Sequence, residues 1–443
     1  MANYRIDTVL RVRTRHRPGQ LARVATVIAQ EGALIGEIAT LHMAEGLSTR
    51  EITVETENEE HTERLVSALA RTDGVEIISV RDRVFDCHLG GKLHSTSRIE
   101  LKHLSDLRYI YTPGVARVSR AIAEKPERAF DYTGLGNSVG IFTNGTRVLG
   151  LGDIGPLASM PVMEGKAVLY DRFAGISATP ILVDTKDVDD FVQTVVRVSR
   201  SFGGIHLEDI RIPECFRIEE ELKRRLRKPV MHDDQHGTAV VTLAAIINAC
   251  RLTGLELRRS KMGQVGLGAA GSAIAKLALA YGVGEVMVTD RNPEAMAPLT
   301  AAGARATDFD TLIRQADIVV CTTGKVGLIK PEHIRRGQVI FALSNPYPET
   351  EPDLARDAAA AYAADGTAIN NALAFPGIFR GALAVRAGRI EPQMYIAAAE
   401  AIAASAGSDE VVPSPLSSSV HDAVTDAVSS CATSLGLANT AEL

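Results

Sequence analysis

The chain has 443 residues, 46% apolar and 23% charged. At about 150 residues per domain, that is a globular composition with room for about three domains. Lys and Arg number 48 against 54 Asp and Glu, a formal charge of −6, which excludes a nucleic-acid binder held by bulk positive charge. The five cysteines (Cys87, Cys215, Cys250, Cys321, Cys431) form no C-x-x-C pair, which argues against a disulfide framework or a cysteine zinc site and for a reducing cytoplasm. The first residues, MANYRIDTVLRVRTRHRPGQ, are too charged for a signal peptide. The longest apolar stretch, 239–250, is well short of the roughly 20 residues a membrane span needs.

From the N-terminus, residues 7–13 alternate apolar and polar, the pattern of a half-buried strand. Arg17-Pro18-Gly19-Gln20 breaks it, and Leu21, Val24, Val27 and Ile28 then recur at helical spacing up to Gly32. Residues 50–55 alternate again, 59–70 place Leu65, Val66 and Leu69 on one helix face, and 75–80 read as a final strand. The order β-α-β-β-α-β is the ferredoxin-like unit. Residues 5–85 resemble an ACT regulatory domain, carried by Arg17-Pro18-Gly19-Gln20-Leu21, Gly32 and Gly36. The resemblance implies pairing across subunits and a small effector, often an amino acid, at the glycine turn, where bare backbone N–H groups are accessible. A module that only dimerises stays open. Asp86 to Lys92, with its glycine pair and no periodicity, reads as a hinge, so the first domain is expected over 1–86.

The second domain is expected over 93–237. Tyr111-Thr112-Pro113-Gly114 and Asn144-Gly145-Thr146-Arg147 read as turns. Glycines crowd around 150–155 and again at Gly165, beside Lys166. An apolar strand ends in Glu208-Asp209, and Asp233-Asp234 stands before a long apolar helix starting near Gly237. Carboxylates at the carboxyl ends of strands lie where open α/β folds bind ligands, and an all-oxygen set favours Mg²⁺ or Mn²⁺. His232 and His236 flank the set and read as hydrogen-bonding or core polar groups. Helix capping accounts for one of Asp233 and Asp234, not for the separate Glu208-Asp209 pair.

The third domain is expected over 238–435. Lys261–Val265 is a poor strand, with Gly263 and Gln264 inside it, and leads into Gly266-Leu267-Gly268-Ala269-Ala270-Gly271. In G-x-G-x-x-G the glycines make the turn, admit a pyrophosphate and let the helix pack on the sheet. Residues 285–290 form a strand ending in Asp290, placed to bond a ribose 2′-hydroxyl. Asp290 favours NAD, while Arg291 leaves NADP open. Further buried strands end in Thr322-Thr323-Gly324 and Ser344-Asn345-Pro346, and their alternation with helices implies a doubly wound parallel sheet. A final helix is expected over 416–435.

Over 90–435 the chain resembles the short bacterial malic enzymes. The strings that carry this are YTPGVA (111–116), GLGDIGPLASMPVMEGKAVL (150–169), GGIHLEDI (203–210), HDDQHGTAVV (232–241), GLGAAGSA (266–273), LSNP (343–346) and INNALAFPGIF (369–379). The resemblance implies an α/β chain: a Rossmann-type NAD domain and a malate- and metal-binding domain, preceded by the ferredoxin-like ACT domain. It implies oxidative decarboxylation of L-malate to pyruvate and CO₂ by a homo-oligomer, with Lys166 as general base and Tyr111 as the acid that protonates C3. Glu208, Asp209 and Asp234 would hold the divalent ion, with Asp233 orienting or charge-pairing the lysine. Arg147 matches an arginine that grips a malate carboxylate, and Asn345 and Asn371 match residues near substrate and nicotinamide. Gly266, Gly268, Ala269, Ala270, Gly271, Asp290 and Thr323 fall to the cofactor.

A lysine base needs a pKa depressed by burial or nearby cations. Three rival readings use parts of the same pattern. A malolactic or oxaloacetate-decarboxylating relative would use the same residues. An ACT-regulated amino-acid dehydrogenase would not need the metal set. A non-catalytic effector-sensing scaffold would bind dinucleotide without turnover.

Overall fold

The computed structural model describes residues 6–148 and 150–442. It divides into two compact units, residues 1–94 and 95–443.

In the first unit, β1 (Ile6–Arg15), β2 (Leu34–Ala44), β3 (Leu47–Thr56) and β4 (Val75–Asp82) form one sheet in the order β2-β3-β1-β4, with every pairing antiparallel. Helices Gln20–Gln30 and Glu59–Ala70 cover one face. The alternation in β1 and β3 buries Leu10, Val12, Ile52 and Val54 against Val24, Ile28, Leu65 and Leu69, so the ferredoxin-like expectation is met. Edge strand β2 leaves Leu34, Ile38, Leu41 and Met43 exposed. The expected hinge begins differently: Arg83–His88 is a short helix, because the Asp82 carboxylate caps it by accepting from the backbone N–H groups of Val84 and Phe85. The break comes at Gly90 and Gly91, both at positive φ.

The second unit contains two wholly parallel sheets. The smaller has the order β6-β5-β7-β8, from β5 (Ser138–Thr143), β6 (Ser177–Leu182), β7 (Gly204–Leu207) and β8 (Val230–His232). The larger has the order β11-β10-β9-β12-β13-β14, from β9 (Lys261–Val265), β10 (Glu285–Thr289), β11 (Arg305–Ala306), β12 (Ile318–Cys321), β13 (Val339–Ala342) and β14 (Tyr362–Asp365). Helix Asp233–Thr253 joins β8 to β9 and is buried along most of its length. Its Ala, Val, Leu and Ile side chains share one core with Val139, Ile141 and Met231 of the small sheet and with Met262, Val288 and Phe341 of the large one.

The weak-looking β9 is a central strand. A side chain at Gly263 would meet Leu312 Cδ2 at 2.3 Å, and buried Gln264 spends its Nε2 on Gly266 O and Thr322 Oγ1 at 3.1 and 3.0 Å. Tertiary contacts thus override low strand propensity. The last helix is Ser418–Ser434. Among the described residues, no helix is long and apolar enough to cross a membrane.

Candidate active site

The carboxyl ends of the small sheet converge. Beyond β5 the chain turns through Asn144-Gly145-Thr146-Arg147, β7 runs into Glu208-Asp209, and β8 runs into Asp233-Asp234. The helix after β8 starts at Asp233 rather than near Gly237, with His232 at its N-cap position and no side-chain cap. Capping therefore does not explain either aspartate. Both lie in the first turn, where the helix dipole favours negative charge. Lys166 comes from helix Gly155–Ala174.

Lys166 Nζ lies 2.5 Å from Asp233 Oδ2, 3.1 Å from Glu208 Oε1 and 4.7 Å from the Phe375 ring centroid. Asn371 Nδ2 donates to the same Asp233 oxygen at 2.7 Å. Gly237 is required by this packing, since a Cβ there would sit 1.9 Å from Asp233 Oδ1. Tyr170 O–H donates to His206 Nδ1 at 2.8 Å, and His206 Nε2 lies 2.5 Å from Glu208 Oε2. Burial lowers the His206 pKa to about 4, so the imidazole is neutral and its Nε2–H is assigned as donor to Glu208 from the hydrogen-bond pattern.

Burial alone would lower the Lys166 pKa, but the Asp233 and Glu208 carboxylates outweigh it and raise it. This corrects the expectation of a depressed lysine: with these partners alone, Lys166 is an ammonium ion. The carboxylates Glu208 and Asp209 are both pushed up, first by burial; for Asp209 the neighbouring Glu208 and Asp234 charges add to it.

Glu208, Asp209 and Asp234 offer oxygen atoms within 4.8 Å of one another. Asp209 Oδ2 is buried with no hydrogen-bond partner, and Asp209 has a φ of 54°, uncommon for a residue with a side chain. Crowded carboxylates, one with an orphaned buried oxygen, suit a hard divalent cation. A second cluster, His206 with Glu208 and Asp233, is spanned by the Lys166 ammonium.

Of the other residues expected at the site, Arg147 lies beside it: its backbone N–H donates to Asp209 O at 3.1 Å, and its charge opposes the upward shift of Asp209. Tyr111 is 71% exposed, and among the described contacts none joins it to Lys166 or the carboxylates. Asn345 is exposed after β13, its amide packed where a Cβ on Gly366 would fall.

In the dinucleotide loop, a Cβ on Gly271 would meet Gly266 O at 1.9 Å, while Gly268 has only Ile212 Cδ1 near, at 3.4 Å. The third glycine serves helix packing and the second leaves room for a ligand. Asp290 Oδ2 accepts from Leu267 N at 2.6 Å.

Two features were missed in the sequence. One is the Tyr170–His206–Glu208 chain, whose only signal is a histidine inside an apolar strand. The other is buried Glu349, which accepts from Thr323 N, Thr323 Oγ1 and Ser344 Oγ at 2.6, 2.8 and 2.6 Å and ties the turns after β12 and β13 together.

A parallel dinucleotide-type sheet beside a buried lysine–carboxylate cluster defines a dinucleotide-linked dehydrogenase with a metal-type acidic site. Family comparison agrees. Residues 92–223 match the malic enzyme N-terminal domain, 294–435 the malic enzyme NAD-binding domain and 3–79 an ACT domain. Residues 231–326 match the NAD-binding domain of D-isomer-specific 2-hydroxyacid dehydrogenases. The chain is 51% identical over 430 residues to NAD-dependent malic enzyme 1 of Bacillus subtilis, covering 97% of this chain and 98% of that one. It is 42% identical to a bifunctional malic/malolactic enzyme of the same organism, covering 82% and 95%. The crystal structure of an NAD-dependent malic enzyme from Thermotoga maritima aligns with TM-score 0.74 at 39% identity, covering 79% of this chain and 99% of that one. The chain belongs to the malic enzyme family, with an ACT domain at its N-terminus.

Proposed function

We propose that the chain oxidatively decarboxylates L-malate to pyruvate and CO₂ with reduction of NAD, dependent on Mg²⁺ or Mn²⁺. The observation that carries this reading is the Lys166 ammonium held between Asp233 and Glu208 next to the Glu208–Asp209–Asp234 oxygens. Glu208, Asp209 and Asp234 would hold the divalent ion, which would supply Lewis-acid stabilisation of negative charge developing on the substrate.

Arg147 binds a malate carboxylate, and Asn371 steadies Asp233. Lys166 takes the 2-hydroxyl proton as hydride leaves C2. To do so it must first lose its own, which Asp233 and Glu208 oppose until their charge is compensated. Tyr111 protonates C3 after CO₂ leaves. That role needs the phenol within hydrogen-bond reach of C3, so the segment around Tyr111 has to be repositioned or completed by a second chain. Asp290 at the end of β10 favours NAD over NADP, and turnover with each cofactor measures the preference. The exposed apolar edge of β2 supports a homo-oligomer, and the ACT domain supports a small-molecule effector. The unpaired cysteines fit a cytoplasmic location.

Lys166→Ala tests the reading. Malate-dependent NADH formation should fall by at least ~10²-fold with circular dichroism unchanged, and near-normal turnover would refute the base assignment. The bifunctional relative supports a second activity, direct conversion of malate to lactate. Lactate formed without net NADH release would establish it.

A further inference from the structure

We infer that the second unit carries a separate binding site for a compact polyanion, a di- or tricarboxylate or a phosphate compound, at the amino-terminal edge of its small sheet. A cavity of about 940 Å³ opens there, lined by Arg98, Arg200 and Arg380 and by the hydroxyl residues Ser138, Ser177 and Thr179, with no carboxylate in its wall. Among the described residues, no carboxylate lies within ion-pair distance of any of these three arginines.

The chain carries a net charge of −6, yet these three arginines share one concavity whose lining holds no acidic side chain. Arg380 is built in: Nη1 donates to Asn137 Oδ1 at 2.6 Å, and Asn137 Nδ2 donates to Gly175 O at 2.8 Å. Behind Arg200, buried Lys228 Nζ donates to Ser199 O and Phe202 O at 2.8 and 2.9 Å. Burial, and after it the Arg200 charge, brings the Lys228 pKa down to about 8. Guanidinium forks match carboxylate and phosphate oxygens equally well.

This cavity is not the active site. The strands are parallel, and Ser138 and Ser177 begin β5 and β6, whereas Lys166 and its partners stand at the carboxyl ends. At ~3.3 Å per residue, β5 separates the two edges by about 20 Å. Three elements nevertheless reach from one to the other. β5 and β7 start at the cavity and end at the Arg147 turn and at Glu208, and helix Phe375–Ala384 carries both Phe375 against Lys166 and Arg380 in the cavity wall. An anion bridging Arg200 and Arg380 therefore bears on elements that hold the catalytic lysine.

The test is isothermal titration of the metal-free full chain with inorganic phosphate and, separately, with tricarballylate, at matched ionic strength. Wild type, Arg200→Gln and Arg200→Gln/Arg380→Gln are compared. At least one probe should bind the wild type with a dissociation constant of millimolar or tighter. Affinity should weaken severalfold in the single variant and at least tenfold in the double variant, with the KM for malate unchanged in the single one. The probe that binds identifies the anion source. No heat from either probe would overturn the proposal, as would variants that bind as tightly as the wild type. If the double variant does not fold, the single variant decides.

Discussion

Asp209 concentrates the demands of the site in one residue. Its backbone is at φ 54°, one carboxylate oxygen is buried without a partner, and burial with two neighbouring carboxylates pushes its pKa up to about 9. A carboxyl raised this far keeps its proton in the folded chain while the unfolded chain gives its proton up near the ordinary value of 3.8. The folded state then binds more protons than the unfolded state, and stability falls as pH rises between those values. Thermal melts in EDTA should show Tm dropping from pH 5 towards about pH 9, and Mg²⁺ or Mn²⁺ should flatten the slope. Equal slopes with and without metal would contradict the metal site. Gly237 is a second residue-scale test. Alanine is normally better than glycine inside a helix by about 1 kcal/mol, but here its Cβ would meet Asp233 Oδ1 at 1.9 Å. Gly237→Ala should therefore destabilise by about 1–3 kcal/mol, read by denaturant unfolding, and should impair turnover by displacing Asp233 from Lys166.

Among the elements, the dinucleotide loop and the paired turns of the large sheet carry the clearest consequences. The helix after Gly268 approaches β9 so closely that Gly271 has Gly266 O at 1.9 Å from any added Cβ. Gly271→Ala should move that helix outward and raise the KM for NAD at least tenfold, measured by initial rates. Raised NAD KM with unchanged malate KM would separate this from general damage. Glu349 holds Thr323 and Ser344 together through a carboxylate with three short bonds. Glu349→Gln keeps the volume but loses acceptor strength, so it should loosen the turns beside Asn345 and reduce turnover several-fold, in contrast to a surface substitution. A wild-type rate would show that these turns do not depend on the charge.

Across the whole molecule, the exposed apolar side chains of β2 form an unprotected sheet edge, which proteins avoid leaving open to solvent. Leu41→Lys should lower the oligomeric state of the full chain in light scattering; an unchanged mass would place the subunit contacts elsewhere. The fold was legible in the sequence wherever periodicity and punctuation agree. The ferredoxin-like order, the parallel strands of the large sheet and the C-terminal helix fall close to where their patterns place them. Two helix starts differ from the expected boundaries: the Asp82 carboxylate caps a helix at the front of the expected hinge, and helix Asp233–Thr253 begins four residues before Gly237 without a side-chain cap.

Residue types and their order along the chain determine the chemistry available here: a lone lysine between glycine-rich strings, two acidic pairs at strand ends, and a glycine loop with Asp290 beyond it. Their convergence is tertiary. Only the fold brings Glu208 and Asp233, from different strands, against one ammonium ion, and only their distances show that this lysine is held charged rather than depressed. Likewise only the fold leaves Tyr111 exposed and gathers Arg98, Arg200 and Arg380 around one cavity. Local sequence sets which groups a segment offers, whereas electrostatic balance falls off over a few ångströms and depends on neighbours far away in the chain.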